Sequence, residues 1–518
     1  MAHSAMRMVY GLAAAAVAVG VMQLVAIAFG PAADARTAVG STVIDLTPGP
    51  VKEWAIKAFA TSDKLFLTVM VVVVIAALAA LTAVFETRRR PVGSIALTVG
   101  GLAGGAAVLS RPGASFLDVV PTVVGAALGI VVLRFLTAER GTPDDATAGE
   151  EATGGAPPTD PQRRRTFAAV GLFGLGVAGT VVGVILTRQL HSVAGERNAL
   201  PPAPPLPAGK ALPPPPLAVQ PAGVALPSYV TGNKDFYRID TALNVPQVSR
   251  KDWRLKIHGM VDRDVTYTFD DLAAFAPLEK MVTLCCVSNP VGGDLISNAN
   301  WTGYRVRDLL ARAGIHPNAD MVLSTSIDGF TAGTPVEALT DGRDAMLAIT
   351  MNGEPLPIEH GYPARLVVPG LYGYVSATKW VTDLELTRFD QAQAYWTGLG
   401  WAAKGPVKTQ SRVDVPKSGQ VVPPGPVTFG GVAWAQNRGV KAVEVRIDDG
   451  PWSPAQLGAS YTNDAWRLWS FPWQATAKGS HSISVRATDN TGTVQTSAIA
   501  PTMPDGATGW HTISFTVA

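Results

Sequence analysis

Five stretches of this chain are apolar enough to leave water and long enough to cross a bilayer: Met8 to Gly30, Leu65 to Phe85, Pro91 to Ser110, Ser115 to Thr137 and Thr166 to Thr187. A hydrocarbon core of about 30 Å needs about 20 mostly apolar residues in a helix. A backbone in lipid must satisfy its own N–H and C=O groups, so each stretch predicts a transmembrane helix. The fourth is interrupted by Asp118 near one end and Arg134 near the other, positions from which both side chains reach the interface. Composition agrees: 47% hydrophobic, 16% charged and a mean hydropathy of +0.21 exceed the apolar share of a soluble chain.

Basic residues are retained on the cytoplasmic side of short loops, which sets the orientation. Arg7, Arg88 to Arg90, Arg140 and Arg163 to Arg165 all fall on one face if the N-terminus is cytoplasmic, and everything after Thr187 is then extracytoplasmic. Arg111, in a tight turn, and Arg36, Lys52, Lys57 and Lys64, in the first external loop, stand against this bias. Arg164-Arg165-Thr166-Phe167, just before the fifth span, resembles an internal twin-arginine export signal. Read plainly, the three arginines are positive-inside anchors. Elsewhere, Lys plus Arg exceed Asp plus Glu by only two, 42 against 40, which excludes the global positive field of a nucleic-acid binder. Two cysteines exclude a disulfide scaffold and a cysteine-ligated zinc or iron–sulfur site.

Composition shifts divide the chain into a membrane region (1–190), a Pro-rich linker (191–228), an α+β domain (229–405) and an immunoglobulin-like all-β sandwich (406–518). Gly141 to Pro161 is too polar to bury a core and reads as a disordered cytoplasmic loop. Leu200 to Pro227, with the run Pro213 to Pro216, reads as an extended polyproline stalk of up to roughly 80 Å. In the α+β domain, Trp253 to Ile257 alternates as a strand, Asp308 to Gly314 is a helix with a glycine stop, and Arg365 to Val368 is a short buried strand. In the last domain Val443 to Ile447 and His481 to Ala487 are strands running into turns, and Trp466, Trp469 and Trp473 are expected between two sheets.

Cys285 and Cys286 are adjacent in Thr283-Leu284-Cys285-Cys286-Val287-Ser288-Asn289, and neighbours on an extended segment point opposite ways, so at most one faces a given site. Pro290, Gly292 and Gly293 make the continuation a turn-rich loop that lets backbone approach a ligand. This segment resembles the sulfite oxidase-like molybdopterin oxidoreductases, in which the cysteine of a Thr-Leu-x-Cys-x-x-Asn stretch binds molybdenum. The resemblance implies Cys286 as metal ligand and catalytic centre, in a molybdenum–molybdopterin cofactor. A second similar run spans Asn352 to Pro357, His360 to Arg365, Val368 to Gly370, Tyr372-Gly373 and Lys379-Trp380. It implies cofactor contacts from His360 and Arg365, with Ser376, Thr378 and Lys379 at the phosphate end. Phe236-Tyr237-Arg238 and Asp328 match further cofactor-contacting positions, implying roles for Tyr237, Arg238 and Asp328. Gly431 to Trp434 and Val485 to Asp489 resemble the family's dimerisation domain, which implies a homodimer.

Relatives that oxidise sulfite place arginines after the Cys-x-x-Asn and before the Lys-Trp. Here those places read Pro290-Val291 and Gly373-Tyr374-Val375-Ser376, with one extra residue before Lys379. A doubly charged anion lacks its guanidinium forks, so the expected substrate is a small S-oxide or N-oxide, with sulfite oxidation as the alternative. No Cys-x-x-Cys-His motif and no histidine within the spans means no haem in this chain, so a separate cytochrome or quinone-linked redox partner is expected. A stalked, non-catalytic envelope binding protein is the rival from another class. It leaves the ordered set Cys286, His360 and Arg365 unexplained.

Overall fold

The computed structural model describes residues 2–48, 51, 54, 63–138, 161–201, 204–208 and 210–518. The polar segment 141–160, with Lys52, Lys57, Arg140 and Pro202, lies outside the described residues. The chain forms two compact units, Met1–Ser192 with Ala242–Asn244, and Val193–Thr241 with Val245–Ala518.

The first unit is helical: α1 (Ala2–Ala26), α2 (Ala35–Leu46), α3 (Asp63–Val84), α4 (Val92–Leu109), α5 (Val120–Thr137) and α6 (Pro161–Leu190). Among the described residues, five helical stretches are long and apolar enough to cross a membrane: Ser4–Ala26, Phe66–Val84, Val92–Leu109, Phe116–Thr137 and Arg163–Asn198. Helix α1 is the hub, packing on α3, α5 and α6. Lipid offers no hydrophobic drive for helices to associate, so close approach of small residues must supply dispersion contact. Gly20 lies against Gly176 of α6, Gly11 against Ala79 of α3, and Gly129 of α5 against Ala18. Leu78, Leu102, Val131 and Leu175 point outward, more than half exposed. The two charges of the fourth span lie near its ends, where each has a local partner. Asp118 is buried and accepts from Ser115 N and Oγ at 2.7 and 3.0 Å, in the 3-10 turn Phe116–Val119 that precedes α5. Arg134 Nε donates to Ser94 Oγ at 3.2 Å. Asp118 is thus satisfied by its own turn, while Arg134 keeps the rest of its guanidinium exposed.

The second unit holds four sheets. One runs Val265–Thr268, Arg254–Gly259, Val381–Thr387, Met321–Ser326, Thr331–Pro335, with a parallel pairing of Lys256 to Asp383 at its centre. Trp253, fully buried, ties this sheet together by donating from Nε1 to Val381 O at 2.8 Å. A second sheet runs Pro277–Cys285, Ile296–Arg305, Met346–Met351, Glu354–Pro355, with Arg365–Val367 also pairing on Met346–Met351. The helix expected at Asp308 to Gly314 spans Val306–Ala311. The chain then turns at Gly314, whose φ of 74° favours glycine.

The C-terminal sheets face each other as a sandwich, Gly425–Trp434 in one and Val440–Ile447, Gly479–Asp489 and His511–Val517 in the other. Phe429, Val443, Val445, Trp469, Ile483 and Phe515 fill the space between. Trp466 departs from the expected position. It is buried with Nε1 on Tyr229 O at 2.9 Å and its backbone N on Thr283 Oγ1 at 2.8 Å, a contact with the α+β half that satisfies its indole N–H.

The Pro-rich tract is not a free stalk. Tyr461 Oη donates to Pro213 O at 2.6 Å, Ala459 N to Ala218 O at 2.7 Å, and Leu212 N to Glu279 Oε2 at 2.9 Å. Upstream of it, in the short helix Ala194–Asn198, Glu196 accepts from Ser249 Oγ, Arg250 N and Tyr362 Oη at 2.6 to 2.8 Å. An extended Pro-rich backbone makes no internal hydrogen bonds, so its carbonyls are open acceptors that a neighbouring surface can take. Limited proteolysis of the full-length protein should therefore leave 204–219 resistant. Tyr461→Phe, losing one hydrogen bond of about 0.5 to 1.5 kcal/mol, should speed cleavage there by about two- to tenfold, whereas a free stalk would be cut rapidly in both proteins.

Candidate active site

Strand Pro277–Cys285 delivers the two thiols. Cys285 still pairs in the ladder, opposite Ile296, and Cys286 is the first residue beyond it. Cys286 N donates to Leu295 O at 2.9 Å, Asn289 N to Cys286 O at 3.1 Å, and Leu295 N to Asn289 Oδ1 at 2.9 Å. The asparagine of the motif thus closes the loop 286–295 on itself. Both cysteines are free and buried. Burial pushes both thiols up; for Cys285 the neighbouring Cys286 adds to this, while for Cys286 hydrogen bonds from Ser288 oppose it.

The Tyr237 hydroxyl is the group that relates the thiols to the cofactor residues. Burial first, then Cys286, then Cys285, push its pKa well above the ordinary phenol value, and Arg365 opposes them. Phe236, stacked on Tyr237 at 5.4 Å, meets the His360 ring edge-on at 5.5 Å.

His360 ends the 3-10 turn Ile358–His360, and Gly361 follows at φ 113°. A Cβ on Gly361 would come within 3.2 Å of Lys379 Cβ, so glycine lets the two cofactor segments meet. His360 Nε2 lies 3.2 Å from Asn233 O, a pairing that puts the ring proton on Nε2 and leaves Nδ1 as an acceptor. Burial, then Arg365 and Lys379, pull its pKa down to about 3, so the ring is neutral.

Arg365 is 4% exposed and lies over the Trp301 ring at 5.2 Å. It donates to His360 O and Ala377 O, both at 3.2 Å. Among the described residues no carboxylate pairs with it. Burial lowers its pKa to about 10, still charged at neutral pH. Lys379 Nζ sits between Asp240 Oδ2 at 3.0 Å and Glu359 O at 3.1 Å. Burial lowers it to about 8 against the pull of Asp240. Arg238 Nε shares the same Asp240 oxygen at 2.9 Å. Asp328 belongs to this neighbourhood: burial, then Asp240, raise its carboxyl, and Lys379 opposes them.

Two expected cofactor residues turn inward. Ser376 Oγ donates to Tyr372 O at 2.9 Å, and Thr378 Oγ1 pairs with Ser324 Oγ at 2.7 Å; both residues are fully buried. Their hydroxyls are used to hold the turn that presents Lys379. Sequence reasoning missed Asp240, Asn233 and Trp301, which orient Lys379, His360 and Arg365. Asp240, two positions beyond Arg238, was the one with a local signal.

A buried, unpaired guanidinium beside a half-neutralised lysine and a neutral imidazole acceptor is the donor set an anionic, heteroatom-rich cofactor requires. Among the described residues no three His, Cys, Asp or Glu side chains gather as a metal site, so a metal at Cys286 must bring its other ligands with it. The cofactor's dithiolene does that. The residues fit the group.

The family model "Oxidoreductase molybdopterin binding domain" matches residues 242–396, and "Bacterial Ig domain" matches residues 410–485. An oxidoreductase of Bacillus subtilis, YuiH, is 32% identical over 153 residues, covering 30% of this chain and 74% of that protein. This chain belongs to the sulfite oxidase-like molybdopterin oxidoreductases. The family's members are molybdenum-dependent enzymes, and the mitochondrial sulfite oxidase of Mus musculus is 29% identical over 322 residues, or 53% of this chain. The chain spans 58% of that relative's length. Among solved structures, the sulfane dehydrogenase SoxCD of Paracoccus pantotrophus aligns at 27% identity with a TM-score of 0.46, over 52% of this chain and 75% of the other.

Within this family member the two thiols should separate functionally. Cys286→Ser should abolish turnover and Cys285→Ser largely preserve it, measured with an artificial electron acceptor or donor; equal loss would place the wrong sulfur on the metal. Acid should also weaken the cofactor-free protein. His511, like His360, is held neutral, chiefly by burial and then by Arg412, with a pKa of about 4 against 6.5. Between pH 6.5 and about 4 the unfolded chain binds protons that the folded chain refuses, so stability falls as pH drops through that window. His511→Gln should flatten the slope of the unfolding midpoint against pH.

Proposed function

We propose that this protein is a membrane-anchored, extracytoplasmic molybdopterin-dependent oxidoreductase that moves one oxygen atom to or from a small, weakly charged oxo-compound, of the S-oxide or N-oxide reductase type. Cys286 would ligate the metal; Arg365, His360, Lys379, Arg238 and Tyr237 would hold the rest of the cofactor. When bound, the cofactor supplies the two-electron redox couple. The chain's own residues do the remainder: Arg365 meets negative charge, His360 Nδ1 accepts a hydrogen bond, and Tyr237 keeps its proton on Oη beside the thiol.

The observation that carries the substrate class is the state of the cations around the thiol loop. Pro290, Val291 and Val375 are uncharged. Arg238 and Lys379 are both tied to Asp240, and Arg412, which approaches the loop, is paired with Asp414. Among these described cations, a dianion such as sulfite would find none without a carboxylate partner. Sulfite oxidation is the second reading, supported by the likeness to the mouse enzyme. A vestigial, metal-free role is disfavoured by Arg365, since a buried charge without a counter-ion is costly to keep.

The five spans anchor the protein with Arg7, Arg88 to Arg90 and Arg163 to Arg165 on the cytoplasmic face. Electrons pass to or from a separate cytochrome or quinone-linked partner, and the sandwich serves as a homodimer contact. Purified protein should contain about one molybdenum per chain. Each missing charge-assisted contact to an anion is worth about 1.5 to 3 kcal/mol, so kcat/KM for sulfite should fall roughly ten- to a hundredfold per contact below a sulfite-specific site. Steady-state assays of sulfite with an artificial acceptor, beside sulfoxides and N-oxides with a reduced dye, decide this; efficient sulfite turnover at micromolar substrate would overturn the substrate class and leave the cofactor assignment standing.

A further inference from the structure

The polar contacts that reach the tip of the thiol loop from outside it come from the β-sandwich. Arg412 Nη1 donates to Gly293 O at 2.6 Å. Its Nε lies 2.9 Å from Asp414 Oδ1, out of line for a hydrogen bond, and its Nη2 lies 3.4 Å from Asp414 Oδ2. The two side chains are only 10% and 6% exposed. Gly292, at φ 77°, lies against the imidazole of His511, and a Cβ there would run into the ring. His511 is itself fixed, accepting from Val413 N at its Nδ1 at 3.0 Å.

The other end of the thiol segment is gripped too. Thr283 N donates to Asp464 O at 2.9 Å, Thr283 O accepts from Gln436 Nε2 at 3.1 Å, and Thr283 Oγ1 accepts from Trp466 N at 2.8 Å. The strand that carries the cysteines is therefore held from the sandwich before the thiols and after them. A loop with two glycines is intrinsically loose, and its internal hydrogen bonds close the ring without orienting it. Orientation comes from neighbours that are themselves locked. Here these are a buried ion pair and a ring held by a backbone N–H.

We propose that the C-terminal β-sandwich is the positioning half of this site: Arg412, through Gly293 O, and His511, against Gly292, set the conformation of loop 286–295 and with it the direction of the Cys286 thiol. This rests on Cys286 as the metal ligand. Arg412 and His511 are positioning residues, since they act through the loop backbone. They also place the sandwich inside the catalytic machinery rather than beside it.

The test uses the full-length protein in detergent. In its cofactor-free form, alkylation of Cys286 by iodoacetamide, located by fragmentation mass spectrometry, should be about tenfold faster in Arg412→Met than in wild type, the size expected when one charged tie is lost. Arg412→Lys, which keeps a donor toward Gly293 O, should restore most of the protection. In the loaded enzyme the paramagnetic resonance signal of the molybdenum should shift in Arg412→Met and return toward wild type in Arg412→Lys. If Arg412→Met does not accumulate, His511→Ala carries the same expectations. Wild-type alkylation together with an unshifted signal would overturn the proposal. A Cys286→Ser enzyme that keeps the wild-type molybdenum signal would instead remove the ligand assignment, a result on which the alkylation rates do not depend.

Discussion

Arg365 carries its charge into a place almost closed to water, where among the described residues no carboxylate pairs with it. Three backbone carbonyls and the face of Trp301 hold the guanidinium, but carbonyls supply dipoles and not charge. A folded protein keeps such a group only when something else balances it. Around this one requirement the neighbouring residues fall into order. His360 is forced neutral by the burial and the cation beside it. Lys379 is partly compensated by Asp240, which also holds Arg238. The cofactor-side residues thus combine one guanidinium without a carboxylate partner with two cations that share Asp240.

The thiols belong as much to the sandwich as to the α+β domain. Strand Pro277–Cys285 pairs in the catalytic sheet, yet Thr283 gives both of its backbone groups to sandwich residues. Ladder hydrogen bonds on one side leave an edge that another surface must cover, and here the covering surface is the second domain. The same economy of edges explains the Pro-rich tract. Its backbone makes few internal bonds, and Tyr461, Ala459 and Glu279 take what it offers.

In the helical unit the controlling constraint is different. Lipid is as apolar as the helices, so contact between them depends on how closely backbones approach. Gly11, Gly20, Gly129 and Gly176 permit that approach around α1. The charges that enter this unit are met locally, Asp118 by Ser115 and Arg134 by Ser94.

Much of this was legible in the sequence because the relevant physics is local. A run of about 20 apolar residues can only be buried in lipid or a core, whichever fold surrounds it. Cys286, His360, Arg365 and Lys379 stand in short segments whose resemblance to the family already implies a thiolate ligand and cofactor contacts, and alternation along an extended strand separates Cys285 from Cys286. What tertiary structure alone decided was the choice of partner across long separations. Asp240 meets Lys379 139 positions away, and Arg412 meets Gly293 across 119. Trp466 leaves the sandwich core for Tyr229, 237 positions off. Ser376 and Thr378, read as cofactor donors, spend their hydroxyls on the fold itself. A residue's chemistry fixes which bonds it must make; the packing of distant segments determines which atoms are there to make them.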